Sequence, residues 1–480
     1  MSITGAMNAA ISGLRAASLG TEIVSNNISN ALTPSYGTRS MDLSALSLGA
    51  TGGVRVNGIS RQVNESVIAD LRSANAAQQN SQAAVDFFLQ LEDAVGIAGD
   101  ENSLGGRLAS LEESLIAAAS RPDLTERLTD TVSDAKRLVD GITNAAQEIQ
   151  DMRTAADTQI SEDVATLNTA LEQVEQLNIA ITANQSRGGS SPALLDQRQL
   201  VLDTIGAIVP ISVVPRDNGA VAVYTDGGAI LLDITAATIG FDKKNIVTEF
   251  QTLEAGTLSG LTLNGQDIRT SALSGGSLGG NFEVRDTYGV QAQEQLDAFA
   301  RDLVERFADP SVDSTLSTGD PGLFTDAGAA FDSADEVGLS SRLALNFAVD
   351  PEAGGETWRL RDGLGATTTG LVGDSTLLNN LQSALETSRT PASGDFGTSP
   401  LTTADLLSSL SGSLASTRSS AEQDLTFTSA RFTELTELNL SEGVDTDKEL
   451  QNLLILEQAY AANARVIQAA DDMIETLTRL

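Results

Sequence analysis

The acidic side chains near the C-terminus are the first that could do chemistry. Asp445, Asp447 and Glu449 have the alternating spacing of a calcium loop, but Leu450 stands at the sixth position, where the sharp turn of such a loop needs Gly. The same residues suit another role. Thr446 followed three residues later by Glu449 is a capping box, and acid in a first helical turn complements the helix dipole. Gly275-Gly276-Ser277-Leu278-Gly279 has the spacing of a nucleophile elbow. The chain contains no His, so a Ser-His-acid triad cannot form around Ser277, and the stretch reads as a turn before a helix. The adjacent acids Glu112/Glu113 and Asp471/Asp472 point about 100° apart on a helix and read as solvated faces. No Gly-rich loop with a Lys suits a nucleotide phosphate.

Composition points the same way. Zero Cys and zero His remove the thiol nucleophile, the thiolate site, the commonest general base and the commonest metal ligand. No cofactor is expected and the chain reads as a non-enzyme. With 29 basic and 65 acidic residues the formal charge is −36, which disfavours nucleic acid and anionic membrane surfaces. No apolar run is long enough for membrane insertion. The N-terminus lacks the basic and apolar regions of a secretory signal, so any export is expected to use no cleaved signal peptide. Asn27, Asn64, Asn184 and Asn439 open Asn-x-Ser triplets, a pattern too frequent to carry weight.

The elements that dominate the chain lie at its two ends. Leu453, Leu456, Tyr460, Asn463, Ile467, Ala470, Ile474 and Leu477 alternate three and four apart, a heptad seam with one polar member. Ile3, Met7, Ala10, Leu14, Ala17, Thr21, Val24 and Ile28 form a second seam at the N-terminus. Neither is stable alone, and each is the natural partner of the other. Asn463 reads either as a register-setting residue or as a solvated one. The N-terminal helix should stop in NNISNALTPSYG, where Asn residues favour turns and Pro34 cannot continue a helix.

Between the ends, residues 41–70 read as a hairpin or extended arm. Helices are expected over 73–95 and 104–120. A very long helical pattern begins with Pro122 in its first turn and runs to about 184, with a stutter between Met152 and Ile160. A shorter helix covers 192–206. Strands and Gly turns fill 208–275, helix returns over 282–308, 309–400 shows few periodic signals, and a last helix spans 402–439. The expected fold is α+β and multidomain, a long helical bundle or coiled coil built from both chain ends with β-rich outer domains inserted. Its units would be 1–45 with 440–480 (terminal coiled coil), 46–206 with 280–308 and 401–439 (long-helix bundle), 207–279 (β-rich), and 309–400 (small, irregular or β).

Several stretches resemble one family. SGLRAASLGTEIVSNNISNALTPSYGTRS is similar to the N-terminal motif of flagellar rod, hook and hook-associated proteins, through Asn26, Asn27, Ile28, Asn30, Thr33, Pro34 and Tyr36, with Ser35 where the family has Gly. The segment from Ser441 onward resembles the matching C-terminal motif. SSPALLDQRQLVLDTIGAIVPI, with Leu194, Leu195, Asp196 and Arg198, resembles a helix of the first hook-associated protein family. So does GGSLGGNFEVRD with the helix after it, through Gly279, Arg285, Asp286, Leu296 and Ala300. Residues 309–400 depart from the family, and its usual His-containing stretch is absent. The resemblance implies a structural protein of the hook–filament junction, exported unfolded to the extracellular flagellum. It also implies a homo-oligomeric ring between the hook protein and a second junction protein (hook-associated protein 3). An export chaperone would bind the C-terminal helix, over 449–480. A hook or distal-rod protein, a secreted coiled-coil adhesin and a hydrolase using carboxylates alone are the competing readings.

Overall fold

A computed structural model describes residues 2–46, 52–97 and 99–479. Helix α1 (Ile3–Ser29) is capped by Ser2, whose Oγ accepts from Gly5 N at 3.1 Å. Strands β1 (Thr38–Ala45) and β2 (Val54–Gln62) follow as one antiparallel hairpin with a bulge between Asp42 and Leu43. The hairpin lies along α1: Val54 N donates to Ser12 Oγ at 3.1 Å, and Asn27 Nδ2 donates to Arg39 O at 2.9 Å. The boundary expected after residue 45 therefore divides a single hairpin, both strands of which belong with α1.

Helix α2 (Glu65–Val95) starts at the cap Asn64, well before the expected residue 73, and ends at Gly96, which adopts φ 86°. Helix α3 (Leu104–Ser120) matches its expected bounds. Pro122 lies outside the long helix instead of in its first turn: α4 begins at Thr125 and continues unbroken to Ser186, 62 residues, or about 93 Å at about 1.5 Å per residue. Helix α5 (Pro192–Ile208) carries its Pro at the first position.

Six short strands follow in two antiparallel sheets: β3 (Ile211–Pro215), β4 (Val221–Thr225) and β5 (Ile230–Leu232), then β6 (Ile239–Gly240), β7 (Thr262–Leu263) and β8 (Gln266–Asp267). Helix α6 (Gly276–Glu283) runs through a π-helical turn, Val284–Tyr288, into α7 (Gly289–Phe307). Then come β9 (Phe324–Asp326), α8 (Leu339–Arg342) and β10 (Leu343–Leu345), where β9 pairs with β10, and after them α9 (Arg359–Asp362) and α10 (Thr376–Glu386). The last two helices are α11 (Thr403–Ser441) and α12 (Thr446–Arg479).

Two hydrophobic cores share α4. Its first half, to Ala156, packs with the end of α2, with α3, α7 and the start of α11; its second half, from Ile160, packs with α5, α6 and the six-stranded segment. The stutter read between Met152 and Ile160 is where one core gives way to the other. Residues 309–400 do not form a separate outer unit. Leu316, Phe324, Leu343, Leu360, Leu378 and Leu385 all enter the first core, because each short element there carries only a few apolar residues and cannot bury them alone.

A like-charge contact on this body gives one test. Partial burial, with Glu386 nearby, holds the Glu112 carboxyl above its ordinary value of 4.5. The neutral form is favoured in the fold, so the group's contribution is present below about 4.5 and is lost as pH rises through the folded value. Glu112→Gln is therefore expected to raise the urea midpoint at pH 7 and to leave it unchanged at about pH 4, which parallel melts at the two pH values would check.

Candidate assembly site

The two terminal helices pack antiparallel. A Cβ placed on Gly13 would fall 2.6–2.8 Å from the side-chain atoms of Asn463, and one on Gly20 would fall 2.8 Å from Leu456 Cδ2. Hydrogen at these two positions is what allows α1 and α12 to close on each other. Among the described residues Asn463 makes no bond across the seam: its Nδ2 donates to Ala459 O at 2.9 Å within its own helix. What matches it to α1 is the space above Gly13. Gly13→Leu should force the helices apart and cost about 1–3 kcal/mol of pairing. Adding Asn463→Ala should return most of that loss in a thermal melt of the double variant.

The seam is only partly covered. Ala10, Ala17 and Val24 are buried, and Ile3, Met7, Leu14 and Ile28 are half-buried. On α12 only Ala470 of the seam is buried. Leu453, Leu456, Asn463 and Ile467 are half-buried, whereas Tyr460, Ile474 and Leu477 are exposed. Further apolar side chains (Leu450, Leu454, Ile455, Val466, Met473) are exposed on other faces of the same helix. Ile455 is 63% and Leu477 61% accessible. The apolar surface of α12 is wider than the strip α1 covers, and an exposed apolar surface of that kind suits a further packing partner.

The cap of α12 differs from the sequence expectation. The backbone N–H groups of Asp447 and Lys448 donate to Asp445 Oδ1 at 3.0 and 3.1 Å, so Asp445 is the cap and Thr446 the first helical residue. An Asx cap one residue earlier replaces the Thr446–Glu449 box, and Glu449 is left to a different environment.

At its other end α1 is fastened to the body by a polar joint. Asn27, fully buried, accepts from Tyr36 Oη at 2.9 Å and from Arg39 N at 3.0 Å through Oδ1. Burial, with Asp196 and Glu449 nearby, pushes the Tyr36 hydroxyl up against the opposing pull of Arg39, so the phenol stays a donor. Ser35 adopts φ 61°, the left-handed conformation for which Gly is usual. Here the side chain has a use: Ser35 Oγ donates to Asp203 Oδ2 at 2.9 Å. Asp196 on α5 gathers three donors: Gly37 N at 3.0 Å, Arg61 Nε at 2.7 Å and Arg39 Nη2 at 3.2 Å. Arg61 also reaches Ser35 O at 3.2 Å and the Gln199 side chain, and Arg72 Nε on α2 donates to Asp203 Oδ1 at 2.6 Å. The joint thus ties α1 and its hairpin to α5 and α2 through ions and hydrogen bonds. Of the other motif residues, Thr33 Oγ1 donates to Asn30 Oδ1 at 3.2 Å and Asn30 Nδ2 to Asn26 O at 2.9 Å, local bonds that shape the turn before exposed Pro34.

The structure separates the remaining candidates. Arg198, two residues from Asp196, points the other way and ties α4 to the first sheet, donating to Asn178 Oδ1 at 3.0 Å and Gly219 O at 2.6 Å. Its burial lowers its pKa to about 10. Leu195 is half-buried beside it. Arg285 sits on the π-helical turn with no exposed surface. It donates to Asp157 Oδ1 at 2.6 Å and to both oxygens of Asp286 at 2.8 Å, and its guanidinium lies 4.8 Å from the Phe282 ring centroid. Arg153 joins the cluster through Arg285 O at 2.9 Å and Gln251 O at 2.6 Å. This lock occupies the waist between the two cores. Arg39, Arg61, Asp203, Arg153 and Asp157 escaped the sequence reading. Asp196 and Asp203 are seven apart on one helix face, and Arg153 and Asp157 are four apart inside the stutter, so both pairs left a signal.

No helix among the described residues is long and apolar enough to cross a membrane, and no cluster of acids there could hold a metal ion. Residues 441–480 match the family model described as flagellar basal body rod FlgEFG protein C-terminal. Residues 88–323 match the model described as flagellar hook-associated protein FlgK helical domain. The chain is 28% identical over 320 residues to flagellar hook-associated protein 1 of Salmonella typhimurium, covering 61% of this chain and 57% of that relative. It is 26% identical over an alignment of 551 residues to the protein of the same name from Escherichia coli, covering 99% of each. Together these matches support identification with the flagellar hook-associated protein 1 (FlgK) family. A solved structure of the flagellar hook junction protein FlgK from Burkholderia pseudomallei is 22% identical, with a TM-score of 0.44 over 54% of this chain and 46% of that one.

Proposed function

We propose that this chain is the hook–filament junction subunit of an extracellular bacterial flagellum. It would assemble as a homo-oligomeric ring through α1 and α12, with the hook protein below and the second junction protein (hook-associated protein 3) above. The observation that carries the reading is α12 itself: its apolar surface is wider than the strip α1 covers, and much of it is exposed. Neighbouring helix pairs are the natural cover for the rest. Ordering those ends in the free chain costs roughly 1–2 kcal/mol per residue, so assembly and folding of the ends are coupled. That coupling suits export as an unfolded chain, with a cytoplasmic chaperone shielding 449–480. The seam residues, the Asn26–Tyr36 motif and the Asp196 joint are the parts that hold the subunit in register.

The test is complementation in cells that build hooks but shed flagellin because their own junction subunit is deleted. Restored filaments support the reading. Hooks that remain bare while the chain is expressed and exported would overturn it.

A further inference from the structure

The acid displaced from the cap, Glu449, lines a cavity of about 1010 Å³ bounded by α1, the hairpin, the first turn of α2 and the turn between α11 and α12. Glu449 is 7% accessible, and among the described residues no hydrogen bond or ion pair reaches its carboxylate. The other charged groups on the wall do not neutralise it. Arg39 is turned to Asp196, Asp445 caps α12, and Glu65 and Glu442 add negative charge. Lys448 lines the same wall, exposed and in no ion pair among the described residues. Two further polar atoms there, Thr38 Oγ1 and Arg39 Nε, are buried without partners. A carboxylate on the cavity wall with no bond from its own chain, beside two buried polar atoms without partners, is open to a partner of opposite charge.

We propose that the cavity is an intersubunit socket that receives a guanidinium from a second copy of this chain, pairing with Glu449. This rests on the reading that copies assemble through their terminal helices. Charge together with a place on the two assembling helices selects the plug. Arg15 on α1 and Arg465 on α12 are exposed, and neither makes an ion pair among the described residues. Both lie partway along the helix pair, whereas Glu449 lies at its inner end, so copies staggered by roughly 20 Å along the pair, at about 1.5 Å per residue, bring plug to socket. Arginine suits the site better than lysine, because its planar fork can serve a carboxylate with two parallel bonds.

The test uses the full chain in the complementation strain, where the unsubstituted chain sets the baseline; if that chain fails, the assembly reading falls and the socket is not at issue. Glu449→Arg is expected to reduce filament number by at least about tenfold, and Arg15→Glu or Arg465→Glu in the same chain to recover it. Because the chain has no Cys, Glu449→Cys combined with Arg15→Cys or Arg465→Cys should give disulfide-linked multimers in isolated flagella. Monomeric Glu449→Gln should melt at or above the temperature of the unsubstituted protein, since the carboxylate has no partner within its own chain. Normal assembly by Glu449→Arg, failure of both reversals with no cross-link, or a lowered melting temperature for Glu449→Gln would each overturn the socket.

Discussion

Asp196→Ala is expected to release the terminal unit from the body. It leaves Arg61, whose side chain is 7% accessible, and Arg39 without their shared carboxylate, and it strands Gly37 N. Removing one member of a buried ion pair costs about 3–5 kcal/mol, most of it from the charge left behind, against a total stability of about 5–15 kcal/mol for a typical domain. The loss should be local. Hydrogen exchange over residues 27–63 is expected to accelerate while α4 and the second core keep their protection. Asp196→Asn, which retains one acceptor for Gly37 N, should fall between. Equal protection of 27–63 in the Ala variant would mean that apolar contact between α1 and the hairpin holds the joint unaided.

Arg285→Ala should be the most damaging single change in the body. Arg285 and Asp157 have no accessible side-chain surface, and Asp157 Oδ2 also accepts from Lys244 N at 2.7 Å. Without the guanidinium the carboxylate is buried with that one donor, a loss of about 3–5 kcal/mol. The effect should spread to 242–260, because Arg285 and Arg153 hold Ser259, Gln251 and Thr248 by their carbonyls. Limited proteolysis is expected to show new cuts in that segment, with a lowered urea midpoint. Arg285→Lys should rescue little, since an ammonium cannot reproduce bonds to Asp157 and to both oxygens of Asp286. A variant that melts like the unsubstituted chain would show that the aromatic contacts with Phe241 and Phe282 hold the waist.

The sequence was most readable where periodicity is strict. Helix α3 and the course of α4 through its stutter follow directly from residue spacing, because an amphipathic helix writes its buried face into every third or fourth residue. Resemblance supplied Asn27, Tyr36, Asp196 and Arg285, but not what they touch. Asp196 and Arg198 look like one motif, yet two residues apart on a helix they face nearly opposite ways and serve different joints. Arg39 and Arg61 sit on a hairpin whose register no local signal specifies, and they meet Asp196 across more than a hundred residues. Residues 309–400 were opaque for another reason: their apolar residues are placed for a core built mainly by other segments. Within them, α10 left a signal in the Leu377, Leu378, Leu381, Leu385 spacing. The Asp445 cap was missed because Asp445 and Thr446 can each cap a helix, and only the backbone bonds decide between them.

On the proposed function, α12 serves assembly as well as folding of its own subunit. Removing residues 449–480 and returning the chain to cells that lack their junction subunit tests it most directly, with hook ends viewed by electron microscopy and shed flagellin measured in the medium. The truncated chain is expected to leave hooks bare and flagellin in the medium, while the full chain restores filaments. Filaments grown at normal frequency on the truncated chain would contradict the claim.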